Sequence, residues 1–273
     1  MIFPDYHLHS SFSSDADYDI IDIIKSAQKK DINSICITDH YDMDFPIYPD
    51  EPDMTFYLNT EEYYKYMSSV KEQFAHDFDL RIGVELGMMP HIGDKLNNYV
   101  FSHPELDFII ASVHIVDGFD PYRPDYFVGK TDYQAYLRYF ETILDSLKVF
   151  TNYNVLGHMD YILRYGKTKA DNFKATDYYD IFKEIINIIV QNGKGLEINT
   201  GSLYKNLDFP HPHKEILKLY KDAGGEIITI GSDAHKPEYI GYGFDKAKEI
   251  LSALGFKYYC TFSKQSPEFH SII

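Results

Sequence analysis

Asp5-Tyr-His-Leu-His9, followed by Tyr18-Asp-Ile-Ile-Asp-Ile-Ile-Lys-Ser-Ala-Gln-Lys29, is the unit whose reading decides the fold. The first piece is a short β-prone run that ends in polar residues. The second carries apolar residues at 20, 21, 23, 24 and 27, the spacing of one helix face. The same unit recurs. β-prone runs lie at 34–40, 80–86, 108–114, 155–160, 195–200 and 227–235, with an eighth candidate at 257–262. Helical stretches lie at 60–78, 134–150, 177–191, 212–223 and 244–254, several of them closed by glycine, as at Gly193, Gly224-Gly225 and Gly255. Strands alternating with helices predict a parallel sheet, and seven or so units predict an α/β barrel of the TIM kind in one domain over 1–273. The segments 41–59 and 117–132 read as long loops, which in such a barrel belong over the C-terminal face where sites are built.

Composition narrows the function classes. The chain has 273 residues, with 26 Lys and Arg against 42 Asp and Glu, a net charge of −16. That balance argues against nucleic acid or an anionic membrane as partner, since both need clustered cations. No apolar run is long enough to span a membrane, and Met1-Ile-Phe-Pro-Asp-Tyr6 has no basic or apolar leader pattern. Two cysteines make no disulfide framework, and Cys36, inside Ser34-Ile-Cys-Ile-Thr38, reads as a buried thiol. Together these features predict a cytoplasmic protein.

The twelve histidines carry the chemistry. His7 and His9 are two apart on a strand, so both imidazoles point to one face. His40 closes the second run, Glu85 lies near the end of the third, His114 closes the fourth and His158 lies on the fifth. Asp233 and His235 close the last. In a barrel these ends converge on one rim, and neutral imidazoles with a few carboxylates are ligands for zinc, iron or manganese. His76, His91, His103, His211, His213 and His270 fall in helices or loops and read as structural or surface residues. His211-Pro-His213 matches the first motif in spacing only, because proline breaks a strand.

His7-x-His9, Thr38-Asp-His40, Glu85, Ser112-x-His114, Gly157-His-x-Asp160 and Ser232-Asp-x-His235, taken in this order, resemble the PHP (polymerase and histidinol phosphatase) superfamily. The resemblance runs from residue 5 to about residue 268. The length, Leu196-Glu-Ile-Asn-Thr200 and Tyr259-Cys-Thr-Phe-Ser263 resemble its histidinol-phosphatase branch. It implies a distorted (β/α)7 barrel with two to three divalent ions at its C-terminal face. One ion would be held by His7, His9, Glu85 and Asp233, with Glu85 bridging to a second on His114 and His158. A third would take His40, His235 and Asp15, where many members carry a histidine in place of the aspartate.

The expected activity is hydrolysis of L-histidinol phosphate in histidine biosynthesis. The ions would outweigh the three carboxylates and suit a phosphomonoester dianion. Asp39 and Asp160 are expected to orient imidazole N–H groups or to carry a proton to the leaving alcohol. Ser112 and Ser232 are candidates to stand behind the ligands. Arg164, Asn199 and Lys205 are the candidate substrate residues, while Tyr204 stands where the branch often has arginine. Arg123 and Lys130 lie in a loop that could reach in. Asp42, Asp44, Asp50, Glu51 and Asp53 form an acidic rim suited to the substrate ammonium. The alternatives are a PHP-type nucleotide phosphatase or 3′–5′ exonuclease, and an inactive PHP module that binds a partner.

Overall fold

The computed structural model describes residues 3–168, 170–171, 173–205 and 207–272. Met1 and Ile2, the head of the stretch read for a leader, lie outside them. Seven parallel strands form the wall: β1 (Asp5–Leu8), β2 (Ser34–Ile37), β4 (Asp79–Gly87), β5 (Phe108–Ser112), β6 (Val155–Leu156), β7 (Gly195–Asn199) and β8 (Ile228–Gly231), in that spatial order. The two-residue β3 (His40–Tyr41) pairs with β4 beyond the end of β2. A parallel Leu8–Ala234 bridge brings β8 round to β1, with His9 N–H donating to Ala234 O at 3.1 Å and Asp233 N–H to His7 O at 2.8 Å.

Helices α1 (Ile20–Lys29), α2 (Thr60–Phe74), α3 (Gly93–Ser102), α4 (Asp132–Leu147), α5 (Tyr179–Gln191), α7 (Lys214–Asp222) and α8 (Phe244–Ala253) surround the sheet, and the four-residue α6 (Gly201–Tyr204) lies at the mouth beside Asp233. Their ends follow local chemistry. Asp19 caps α1 through Ile21 N–H, and Thr131 with Gln134 forms a reciprocal capping box on α4. α3 was not expected from periodicity. The strands are buried on both faces and therefore read as continuous apolar runs. No described helix is long and apolar enough to cross a membrane.

The run at 257–262 is not an eighth barrel strand. It forms β9 (Tyr258–Ser263), which pairs antiparallel with β10 (Ser266–Ser271). The physical reason is that β1 already occupies the edge of β8, so no barrel edge is left for it. Instead the hairpin plugs the floor. Cys260 and Phe262 join Tyr6, Cys36, Phe108, Ile110 and Val155 in one apolar cluster, and Tyr6 Oη exchanges hydrogen bonds with the Phe262 backbone. A register shift in β1 between Asp5 and Leu8 lets Tyr6 serve the floor while His7 reaches the opposite end of the lumen.

Candidate metal centre

All nine side chains expected as ligands meet at the C-terminal mouth. His7 Nε2 lies 3.2 Å from Glu85 Oε2, and His9 Nε2 lies 3.6 Å from that same oxygen and 3.5 Å from Asp233 Oδ1. On the other carboxylate oxygen, Glu85 Oε1 lies 3.3 Å from His114 Nε2 and 2.9 Å from His158 Nε2. Asp15 Oδ2 lies 3.0 Å from His235 Nε2 and 3.7 Å from His40 Nε2. The His9 ring is stacked between His40 and His235, each centroid 4.1 Å away. Glu85 lies near the end of β4, in register with His40 of β3 and Ile110 of β5. Asp233 holds a left-handed backbone, φ 55°, which turns its carboxylate inward just past β8.

The supports behind these residues differ in part from expectation. His7 Nδ1 donates to Glu197 Oε1 at 2.6 Å, and the backbone N–H of His158 donates to Glu197 Oε2 at 2.9 Å. His114 Nδ1 pairs with Asp42 Oδ1 at 2.8 Å. The Nδ1 atoms of His7 and His114 are thus paired with Glu197 and Asp42, and not with Asp39 or Asp160. Asp39 instead accepts from Ser10 and Ser13 hydroxyls, and touches His9 only through Ser13, whose Oγ lies 3.2 Å from His9 Nδ1. Asp160 holds His211 rather than His158, at 2.5 Å. Neither aspartate lines the cavity described below. Ser112 Oγ donates to Glu85 Oε1 at 2.6 Å, while Ser232 serves Asp5, away from the ligands. Glycines make room for the two carboxylates. A Cβ on Gly231 would sit 2.5 Å from Glu197 Oε1, and one on Gly87 would overlap Asp42 Oδ1. A charged residue inside an apolar run, as in Leu196-Glu197-Ile198, is a sequence signal by which Glu197 could have been found. Asp42 had no local signal among its acidic neighbours.

The electrostatics fit a cation. Burial alone would push the Glu85 carboxyl up, yet His7, His114 and His40 hold it well below the usual carboxylate range. Burial, then His40 and His235, push His9 far down, so its imidazole is neutral. His7 Nε2, His9 Nε2, His40 Nδ1 and Glu85 Oε2 are buried without a hydrogen-bond partner. Orphaned donor atoms converging on one place match a metal better than a packed core. His7, His9 and Glu85 form one ligand group, Glu85, His114 and His158 a second, and His9, His40 and His235 a third.

Above the centre is a cavity of roughly 560 Å³, the size of a small-ligand site. Its wall includes Phe45, Phe56, Tyr161, Tyr165, Glu51, Asp120, Arg164 and Lys205. Arg164 is buried there, and Asn199 sits behind it, accepting from Nη2 at 3.3 Å without lining the cavity. Tyr204 donates to Asp233 O. Arg123 and Lys130 do not reach in. Arg123 ties the two long loops together through Asp50 at 2.6 Å and Glu51 at 3.2 Å, and Lys130 binds Tyr126 O. Of the acidic rim, only Asp42 and Glu51 line the cavity. Asp44 faces His91 and Lys95. His211, first read as structural or surface, is fully buried between Asp160 and Arg164.

The PHP domain family matches residues 5–201. The chain belongs to this family. Its PHP relatives include a histidinol-phosphatase of Lactococcus lactis, 31% identical over 260 residues that cover 95% of this chain and 94% of the relative. A probable histidinol-phosphatase of Thermotoga maritima is 34% identical over 254 residues, 93% of each. The crystal structure of the Lactococcus lactis histidinol phosphate phosphatase, complexed with zinc, L-histidinol and phosphate, superposes with a TM-score of 0.87 and covers 97% of this chain and 98% of that one. The PHP match ends before His211, Asp233 and His235, which the barrel brings to residues inside it.

Proposed function

We propose that this PHP protein is a metal-dependent phosphomonoesterase that hydrolyses L-histidinol phosphate to L-histidinol and phosphate, as a step of histidine biosynthesis. One observation carries the reading: unpartnered imidazole and carboxylate atoms converge beside a buried Arg164 whose Nη1 is itself unpartnered. A ligand set for cations and a free guanidinium edge in one cavity are what a phosphate ester needs. The zinc, histidinol and phosphate of the Lactococcus lactis structure support the same substrate.

In this reading His7, His9, Glu85 and Asp233 hold one divalent ion, Glu85, His114 and His158 a second, and His40, His235 and Asp15 a third. Zinc is the first choice, and the carboxylate at Asp15 also suits iron or manganese. When bound, such ions act as Lewis acids on the phosphoryl group and make a nucleophile available at neutral pH. Arg164 and Lys205 bind phosphoryl oxygens. Asp120 and Glu51 take the substrate ammonium, and Tyr161, Tyr165, Phe45 and Phe56 pack its imidazole. The joined loops exclude bulk water. The buried, unbridged thiols of Cys36 and Cys260 suit a reducing compartment, in keeping with a cytoplasmic enzyme of one domain. The net charge of −16 and the loop-capped cavity disfavour a polynucleotide or a membrane as partner.

The test is phosphate release from histidinol phosphate, AMP and single-stranded DNA by zinc-loaded protein. Histidinol phosphate should lead in kcat/KM by at least ~10-fold, since a half-buried acid such as Asp120 left without its ammonium discriminates against the wrong ester. Equal turnover of AMP or DNA would promote the nucleotide reading.

A further inference from the structure

Arg164 is an arginine held on three sides. Its Nε–H donates to His211 Nε2 at 2.9 Å, and Nη2 reaches Asn199 Oδ1 at 3.3 Å and Asp233 Oδ2 at 3.4 Å. The Tyr161 ring lies 4.9 Å from its guanidinium carbon. Nη1, buried, has no partner, and the residue lines the cavity. The ring that receives Nε–H is equally constrained. His211 Nδ1 lies 2.5 Å from Asp160 Oδ1, and the second oxygen of Asp160 accepts the His213 backbone N–H at 2.7 Å. The His211 backbone bonds Asn199 in both directions, at 2.7 and 2.8 Å. Asp160, His211 and Asn199 are all fully buried.

From this geometry we infer that His211 is a positioning residue that presents Arg164 to the substrate phosphoryl group. A carboxylate at Nδ1 fixes the proton there, so the lone pair of Nε2 faces the guanidinium. A charged imidazole would set an N–H donor against the Arg164 Nε–H, so the arrangement requires the neutral ring. Burial, which outweighs the pull of Asp160, lowers the His211 pKa to about 4 and agrees with this. The device has a chemical point. An aspartate or glutamate in this place would grip the arginine but cancel its charge. A neutral imidazole aims the guanidinium without adding a second anion to Asp233 beside it, so positive charge remains for a phosphate dianion. The chain thus reads Asp160 to His211 to Arg164 to ligand, with Asp160 and Arg164 at the two ends of one 3-10 turn after β6 and His211 contributed by the loop after β7.

The inference rests on the phosphoryl-binding reading above, and its test does not need turnover. Zinc-loaded protein is titrated with inorganic phosphate, and separately with L-histidinol, by calorimetry. His211→Asn keeps a donor for Asp160 but has no atom at the Nε2 position. His211→Gln places an amide oxygen near that position. Loss of one charge-assisted hydrogen bond should weaken phosphate binding by the Asn variant about tenfold or more. The Gln variant should stay within roughly threefold of the wild type, and both should keep histidinol affinity and zinc content. Undiminished phosphate binding by His211→Asn, or a parallel loss for histidinol, overturns the assignment. If His211→Asn does not fold, a tenfold phosphate loss in His211→Gln overturns it instead. Failure of the wild type to hydrolyse histidinol phosphate would sink the substrate reading and leave the phosphate titration still decisive for His211.

Discussion

Glu85 is the residue on which the centre hangs, because both of its oxygens face imidazoles and, among the described residues, no other carboxylate touches both ligand groups. Glu85→Gln removes the charge with little change in volume. It should strip metal from the two groups together and lower kcat by at least ~10²-fold, as read by elemental analysis and turnover. Activity within a few-fold of wild type would contradict the bridging role. Asp120 makes a pH prediction. Burial pushes its carboxyl up to about 6. Above that pH it is an anion able to hold an ammonium, and below it the acid is neutral. KM for histidinol phosphate should therefore rise as pH falls through about 6. In Asp120→Asn, or with a phosphate ester lacking an amine, this limb should vanish. A wild-type limb that persists with the amine-free ester would assign the titration elsewhere. At this scale the sequence revealed which histidines gather at the mouth, since histidine at a strand end is a local pattern. It did not reveal the roles of Glu197, Asp42 and His211, whose partners are distant in the chain and adjacent only in the closed barrel.

Elements matter here as carriers of register. β1 and β8 are joined by few backbone bonds, and Asp5 reinforces the seam. Its carboxylate accepts from Ser232 N–H at 2.8 Å, Ser232 Oγ at 2.5 Å and Gly241 N–H at 2.8 Å. Asp5→Ala would leave these donors unpaired in a buried place and should cost about 2–4 kcal/mol, seen as a lower melting temperature. Because the seam carries His7, His9 and Asp233, zinc affinity should fall with it. A variant as stable as wild type would mean that the seam is held by packing alone. Helix and strand positions were legible from period and caps, as α1 and α8 illustrate. The fate of 257–262 was not: an alternating run says that a strand forms, while which edge it finds depends on what the other strands have left open.

For the whole molecule, the opposition between a net charge of −16 and a mouth built for cations has a thermal consequence. Unpartnered imidazole nitrogens packed around Glu85 are a cost that bound ions remove. Zinc at a hundredfold excess over its dissociation constant should add about 2.7 kcal/mol per site, so scanning calorimetry should show the melting temperature rise with zinc and fall after chelation. A melting curve indifferent to both would speak against the centre. The order of β and α units, the direction of the sheet and eight ligand-type residues at strand ends were determined by the sequence alone, because each rests on neighbours within a few positions. Only the tertiary structure decided which carboxylate backs which imidazole, where the last hairpin lies, and that His211 stands between Asp160 and Arg164. Those outcomes depend on barrel closure, which sets residues separated by many tens of positions within hydrogen-bond distance and leaves no trace in local spacing.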